Sequence, residues 1–230
     1  MSAVGIVEKL RLWCNEQPNK SAWIFLNDNG DPTDEYTYQE LENASNHLAD
    51  YLANQTSLKK GDRVMLVFFP GLDFTVSLLA CFKAELIAVP VFPPDPRKLK
   101  KDLHHFVSIQ QSSDAKVALT NQMFNFVKKV EDIKNIFSSI KWPDLRWITV
   151  DDILKKGKKQ KTSKVLANPL QDHVAFLQYT SGSTSEPKGV MISHSNLAHN
   201  LAMIIKELKA DQDTVNVSWL PQYHDMGLIG

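Results

Sequence analysis

The sequence predicts an α/β fold of layered parallel-sheet regions with flanking helices, and three observations carry that expectation. Short apolar runs recur at residues 64–69, 88–92, 116–120 and 145–150, with stretches of helical periodicity between them. Strands that alternate with helices need crossover connections, and these build a parallel sheet covered on both faces. The run Val64-Met-Leu-Val-Phe-Phe69 is apolar throughout rather than alternating, as a strand buried on both faces must be. Finally, the apolar segment Val174-Ala-Phe-Leu-Gln-Tyr179 leads directly into a loop of hydroxyl residues and glycine. Delivering a ligand loop from the end of a strand is how α/β nucleotide proteins build their sites.

Taken in order, Ile6, Val7, Leu10, Trp13 and Cys14 recur at helical spacing, and that helix must stop before Pro18. Residues 21–26 read as a strand, turned by Asp28-Asn-Gly-Asp31 into a second strand around Tyr36-Thr-Tyr38. Thr37 and Glu40 match a capping box and open a helix to about Leu52. Lys59-Lys-Gly-Asp62 is a turn, and Asp73 can cap a helix that runs to about Leu86. Residues 155–164, rich in lysine, read as a solvated basic linker. It divides a first α/β region (1–154) from the sheet region that begins at 165 and carries the hydroxyl loop, through residue 230. Beyond that loop, Gly189-Val-Met-Ile-Ser193 is the second arm of a hairpin-like pair. Ser193 or Ser195 then caps a long helix bearing Leu197, Leu201, Ile204, Ile205 and Leu208.

Composition narrows the classes of function. Lysine plus arginine and aspartate plus glutamate balance at 26 each, so no global field points to nucleic acid or an anionic membrane. Cys14 and Cys81 lie on apolar helical faces and read as buried free thiols, which fits a reducing, cytoplasmic setting. The first residues lack the pattern of a secretion signal, and no run approaches the ~20 apolar residues of a bilayer span. Stable membrane insertion is therefore not expected.

The loop itself, Thr180-Ser-Gly-Ser-Thr-Ser-Glu-Pro-Lys188-Gly189, has the chemistry of an anion cradle. Hydroxyls of Thr180, Ser181, Ser183 and Thr184 are donors, Gly182 leaves the backbone open to close approach, and Lys188 adds a mobile positive charge. A polyphosphate is the natural guest, although composition alone is equally compatible with an ordinary polar surface loop. The segment is not a Walker loop. Pro187 stands where the second glycine should be, and Gly189 replaces the hydroxyl residue that would hold magnesium. The histidines fit no zinc template: His104 and His105 are adjacent, and His194 and His199 miss the spacing of a zinc helix. No metal ligands are assigned from the sequence.

Residues Tyr179 to Gly189 resemble the phosphate-loop signature of the adenylate-forming enzymes, which include acyl-CoA synthetases, luciferases, peptide-synthetase adenylation domains and fatty acyl-AMP ligases. A second signature follows in the expected order, Trp219-Leu-Pro-Gln-Tyr-His-Asp-Met-Gly-Leu-Ile-Gly230. The wording at residues 178–187, at Tyr223-His-Asp-Met-Gly227 and at Ala88-Val-Pro-Val-Phe-Pro-Pro-Asp-Pro-Arg97 is similar to that of fatty acyl-AMP ligases. Gly230 falls inside the second signature, so the chain is expected to be the N-terminal part of the large domain, inactive by itself.

The resemblance implies that a fatty acid attacks the α-phosphorus of ATP to give an acyl-adenylate and pyrophosphate. The acyl group then passes to an acyl carrier protein or to a carrier domain of a polyketide or peptide synthase. By the same resemblance Thr180, Ser181, Gly182, Ser183 and Thr184 hold the β- and γ-phosphates, and Lys188 neutralises the departing pyrophosphate. Thr184 can also touch Mg2+, whose acidic ligand would lie beyond Gly230. His224 sits between the acyl carboxylate and the α-phosphate as a positioning and transition-state group. Asp225 reads as the N-cap of the following helix, and Gly227 lets that helix approach the acyl pocket closely. An acyl-CoA synthetase or an amino-acid adenylation domain is the near alternative, and a non-catalytic nucleotide- or acyl-binding module is the alternative of another class.

Overall fold

The structure, a computed structural model, describes residues 4–94, 99–134, 142–160, 168–180 and 187–229. Helix α1 (Ile6–Glu16) precedes an antiparallel ribbon of β1 (Ser21–Leu26) and β2 (Pro32–Thr37), joined by a turn in which Gly30 takes φ 84°. That left-handed conformation is open to glycine at little cost. Thr37 caps α2 (Tyr38–Asn54). Its hydroxyl accepts from Glu40 N at 3.2 Å, and the Glu40 carboxylate accepts from Thr37 N at 2.9 Å, which completes the expected capping box.

The remaining strands are β3 (Arg63–Leu66), β4 (Ile87–Pro90), β5 (Val117–Thr120), β6 (Arg146–Thr149), β7 (Val174–Thr180) and β8 (Lys188–Ser193). They form one six-stranded sheet in the order β6-β5-β3-β4-β7-β8, parallel except for β8, which runs antiparallel to β7. Helices α3 (Leu72–Lys83), α4 (Leu99–Ser113), α5 (Gln122–Lys134) and α6 (Asp151–Lys159) make the crossovers, and α7 (His194–Leu208) follows β8. Period-two alternation divides β3 between two cores. Val64, Leu66 and Phe68 join Leu48, Leu52, Phe82 and Phe176 on one face, while Met65 and Val67 join Phe106 and Phe124 on the other. Trp142 and Trp147 close the second core edge to face, 5.7 Å between ring centroids.

Two expectations need correction. Residues 155–159 are helix, not linker. Leu154 and Gly157 are buried where α6 crosses α2, and a Cβ on Gly157 would come within 2.9 Å of Ala44 Cα. The lysines that read as a solvated run are the outer face of this helix, and Lys158 lies over the Tyr36 ring at 4.1 Å. Residues 161–164 lie outside the described residues. The regions expected on either side of the linker also share one sheet, since β7 pairs with β4 through Ala88 and Phe176. Secondly, Asp73 does not cap α3, whose N-cap is Gly71. Its carboxylate instead accepts from Asn121 Nδ2 at 3.1 Å, and burial pushes its pKa up.

A buried charge network ties α1, α2 and α3 together. Lys83 Nζ, with its side chain fully buried, donates to Glu42 Oε2 at 2.6 Å and to Ser45 Oγ at 2.7 Å. Asn46 Nδ2 donates to Glu42 Oε1 at 3.0 Å, and Arg11 Nε lies 3.5 Å from the same oxygen. Burial lowers the Lys83 pKa to about 8, against the opposing pull of Glu42. Glu42→Ala would strand a buried ammonium and is expected to cost about 3–5 kcal/mol. Urea unfolding of the 230-residue chain measures this, and a loss under about 1 kcal/mol would show that water already solvates the pair.

Cys14 and Cys81 are buried thiols outside any disulfide, as expected, and burial pushes the Cys81 thiol up to about 12. His194, the first residue of α7, is also buried, with its ring edge-on to Phe82 at 5.1 Å. Burial, aided by His173 and opposed by Glu85, lowers its pKa from 6.5 to about 4. Between those two values the unfolded chain binds a proton that the folded chain does not. This contribution to stability is complete above pH 6.5 and is lost as the pH falls towards about 4. His194→Gln should therefore flatten the acid limb of a plot of urea midpoint against pH, and an unchanged slope would place the acid sensitivity elsewhere.

Candidate functional site

The site begins at the open end of the β7–β8 hairpin. The antiparallel register sets Thr180 opposite Lys188, Tyr179 opposite Gly189 and Gln178 opposite Val190. Gly189 has a steric reason: a Cβ there would fall 2.8 Å from Tyr179 Cζ, so only glycine lets the ring lie across the neighbouring strand. The Tyr179 hydroxyl donates to Ser112 Oγ at 3.0 Å and so fastens the hairpin to α4. At the far end Ser193, not Ser195, caps α7. Its hydroxyl accepts from Asn196 N, and Asn196 Oδ1 accepts from Ser193 N, both at 3.1 Å.

Thr180 and Lys188 are exposed. Among the described residues no partner of the Lys188 ammonium is seen, and the register sets it opposite Thr180 at the ends of the two strands. Ser181, Gly182, Ser183 and Thr184 lie outside the described residues. Among the described residues, no group of three or more His, Cys, Asp or Glu side chains is placed to hold a metal ion.

The second part of the site is the segment that ends in α8 (Asp225–Leu228). Two glutamines anchor it. Gln222 Oε1 accepts from Gly71 N at 3.3 Å, and its Nε2 donates to Thr75 Oγ1 at 3.1 Å, which pins the segment to the start of α3. Gln178 Nε2 reaches the Tyr223 carbonyl at 3.5 Å, a long contact, and its Oε1 is buried without a partner. Tyr223 packs edge-on against Phe92, 5.3 Å between ring centroids, just past the end of β4. The strand that bears Thr180 and the loop that bears His224 thus meet through Gln178. Both glutamines lie inside the sequence signatures, but only the folded register reveals their bonding.

His224, not Asp225, is the N-cap of α8. Asp225 is the first helical residue, and its Oδ1 accepts from Met226 N at 2.8 Å while lying 2.5 Å from His224 Nδ1. The imidazole is largely exposed at the surface of this loop. Gly227 makes a close approach as expected, but the neighbour is the segment's own backbone. A Cβ would fall 2.2 Å from the Pro221 carbonyl oxygen and 3.1 Å from the Leu220 carbonyl carbon.

This arrangement matches a known family. The family model for AMP-binding enzymes matches residues 10–230. The chain belongs to the AMP-binding enzyme family. Among curated AMP-binding relatives, the medium-chain-fatty-acid–acyl-carrier-protein ligase JamA of Moorena producens is 31% identical over 97% of this chain and 36% of its own length. The long-chain-fatty-acid–AMP ligase FadD32 of Mycolicibacterium smegmatis is 30% identical over 98% of this chain and 34% of its own. A fatty acyl-adenylate ligase from L. pneumophila, solved with acyl adenylate and pyrophosphate, superposes with a TM-score of 0.79 at 36% identity, covering 98% of this chain and 36% of that one. The chain therefore spans about a third of the length of these relatives. Among the described residues no helix is long and apolar enough to cross a membrane.

Because Gly227 faces backbone that cannot yield cheaply, Gly227→Ala should lever the 220–224 loop off its anchor at a cost of about 1–3 kcal/mol. The amides of Gly227, Leu228 and Ile229, which donate to the His224 and Asp225 carbonyls, should then exchange with solvent about tenfold faster or more. Unchanged protection would mean that the close approach is relieved without moving His224.

Proposed function

We infer that this chain forms the phosphate-handling part of a fatty acyl-AMP ligase, which activates a fatty acid with ATP to an acyl-adenylate and pyrophosphate for delivery to an acyl carrier protein. The observation that carries this reading is the convergence of two anchored elements. Thr180 and Lys188 face each other at the hairpin mouth, and Gln178 joins that strand to the loop that presents His224. The relatives at 30% identity or more are named as ligases acting on fatty acids.

The chemistry asks for counter-charge. Carboxylate and polyphosphate are both anions, and two unit charges ~4 Å apart repel by ~4 kcal/mol at an effective dielectric of ~20. Removing that repulsion is worth about three powers of ten in rate, at ~1.4 kcal/mol for each. Lys188 supplies a cation where pyrophosphate departs. The hydroxyl of Thr180, with Ser181, Gly182, Ser183 and Thr184, supplies donors to the β- and γ-phosphates. His224 orients the acyl carboxylate toward the α-phosphorus. A fatty acid is already ionised at neutral pH, so no general base is required. Mg2+, if held as the loop's hydroxyls permit, would add charge neutralisation between the phosphates, with Thr184 as the one ligand this chain would contribute.

The test is to incubate the complete ligase with ATP, a fatty acid and CoA. Accumulating acyl-AMP supports the proposal, and acyl-CoA would make the enzyme an acyl-CoA synthetase instead. Lys188→Ala should lower the rate of adenylate formation about a hundredfold or more with little change in unfolding midpoint. Wild-type turnover in that variant would remove Lys188 from the mechanism.

A further inference from the structure

Within the α8 turn, His224 and Asp225 make contacts that decide which ring nitrogen faces outward. His224 Nδ1 lies 2.5 Å from Asp225 Oδ1 and 3.4 Å from Met226 N. The two contacts require opposite states of Nδ1. To accept from Met226 it must be bare, and to face a carboxylate oxygen at that distance it must carry a proton. The shorter contact prevails on chemistry as well as distance. The Met226 amide already donates to Asp225 Oδ1 at 2.8 Å, so it does not need the ring, whereas a bare nitrogen against a carboxylate would set two lone pairs face to face. Oδ1 therefore collects two donors, the ring and the first free amide of the turn.

We propose that Asp225 is a positioning residue, which holds Nδ1–H of His224 and thereby presents Nε2 alone to the reacting groups. This rests on the reading of His224 given above and adds the means by which the ring is held. With Nδ1 committed, neutral His224 offers only a lone pair outward. It donates Nε2–H to an anion only in the doubly protonated form, for which Asp225 is the counter-charge one residue away. A carboxylate at position 225 thus serves both the Met226 amide in the first turn of α8 and the orientation of the ring, whereas the amide contact alone would be met equally by asparagine.

The tautomer can be read directly. The 230-residue chain, labelled with ring-15N histidine, is examined by long-range 15N–1H correlation along a rising pH series, at the point above which the ring signals no longer change. The His224 signals are identified as those lost in His224→Gln. The expected result is a protonated Nδ1 and a bare Nε2 in the wild type. Asp225→Ala should shift the ratio about tenfold toward the Nε2–H form. Asp225→Asn retains an acceptor for Met226 N without the charge and should lose most of the same bias while keeping α8 intact. A wild type that carries its proton on Nε2, or variants that leave the ratio unchanged, would overturn the proposal. The functional reading fails separately: a complete ligase that keeps its adenylation rate as His224→Ala would remove the ring from the reaction, yet leave the tautomer result standing.

Discussion

Pairing between β7 and β8 is the constraint on which the rest of the site depends. An antiparallel hairpin has one register once its side chains commit to a face, and in this register Gly189 leaves room for the Tyr179 ring. From it follow the opposition of Thr180 and Lys188, the bond from Tyr179 to α4, and the point at which Gln178 can reach the His224 loop. A slip of one residue would turn Gln178 and Thr180 to the opposite face and separate the cation from the hydroxyls. The sheet beneath makes such a slip costly, because Phe176 on the same strand is buried in the core.

The second constraint is on the His224 loop, which has little apolar burial of its own. Val215, Val217, Trp219 and Met226 are all exposed. Polar ties from Gln222 to the start of α3, the Tyr223–Phe92 contact and the self-contact at Gly227 hold it in place. These are directional contacts to strand ends and a helix start, the positions where α/β sheets commonly present ligand-binding groups. A loop held this way keeps its backbone placed while the imidazole stays largely exposed, as the role proposed for His224 requires.

Much of this was legible in the residues. The capping box at Thr37, a serine cap on α7 at one of the two positions expected, the hairpin arms and the central apolar strand follow from local chemistry, and the structure bears them out. What the sequence concealed was non-local. Lysines 155, 156, 158 and 159 looked like solvated linker because their pattern hides Leu154 and Gly157, the two positions that meet α2. Asp73 offered capping chemistry, but a tertiary contact with Asn121 claimed its carboxylate. Glu85, Asp114 and Lys209 adopt left-handed backbone just beyond helices without the glycine that usually announces such an end. The glutamines at 178 and 222 stood in plain view within the signatures, yet their partners are far away in the chain.

The most direct measurement is a titration of the 15N-labelled chain with pyrophosphate, followed by one with a non-hydrolysable acyl-adenylate analogue. If the hairpin mouth takes the phosphates and His224 meets the acyl group, the amides of Thr180 and Lys188 respond together to pyrophosphate, and the His224 ring responds only to the analogue. Shifts confined to residues away from the hairpin mouth, or a His224 ring indifferent to the analogue, would contradict this assignment.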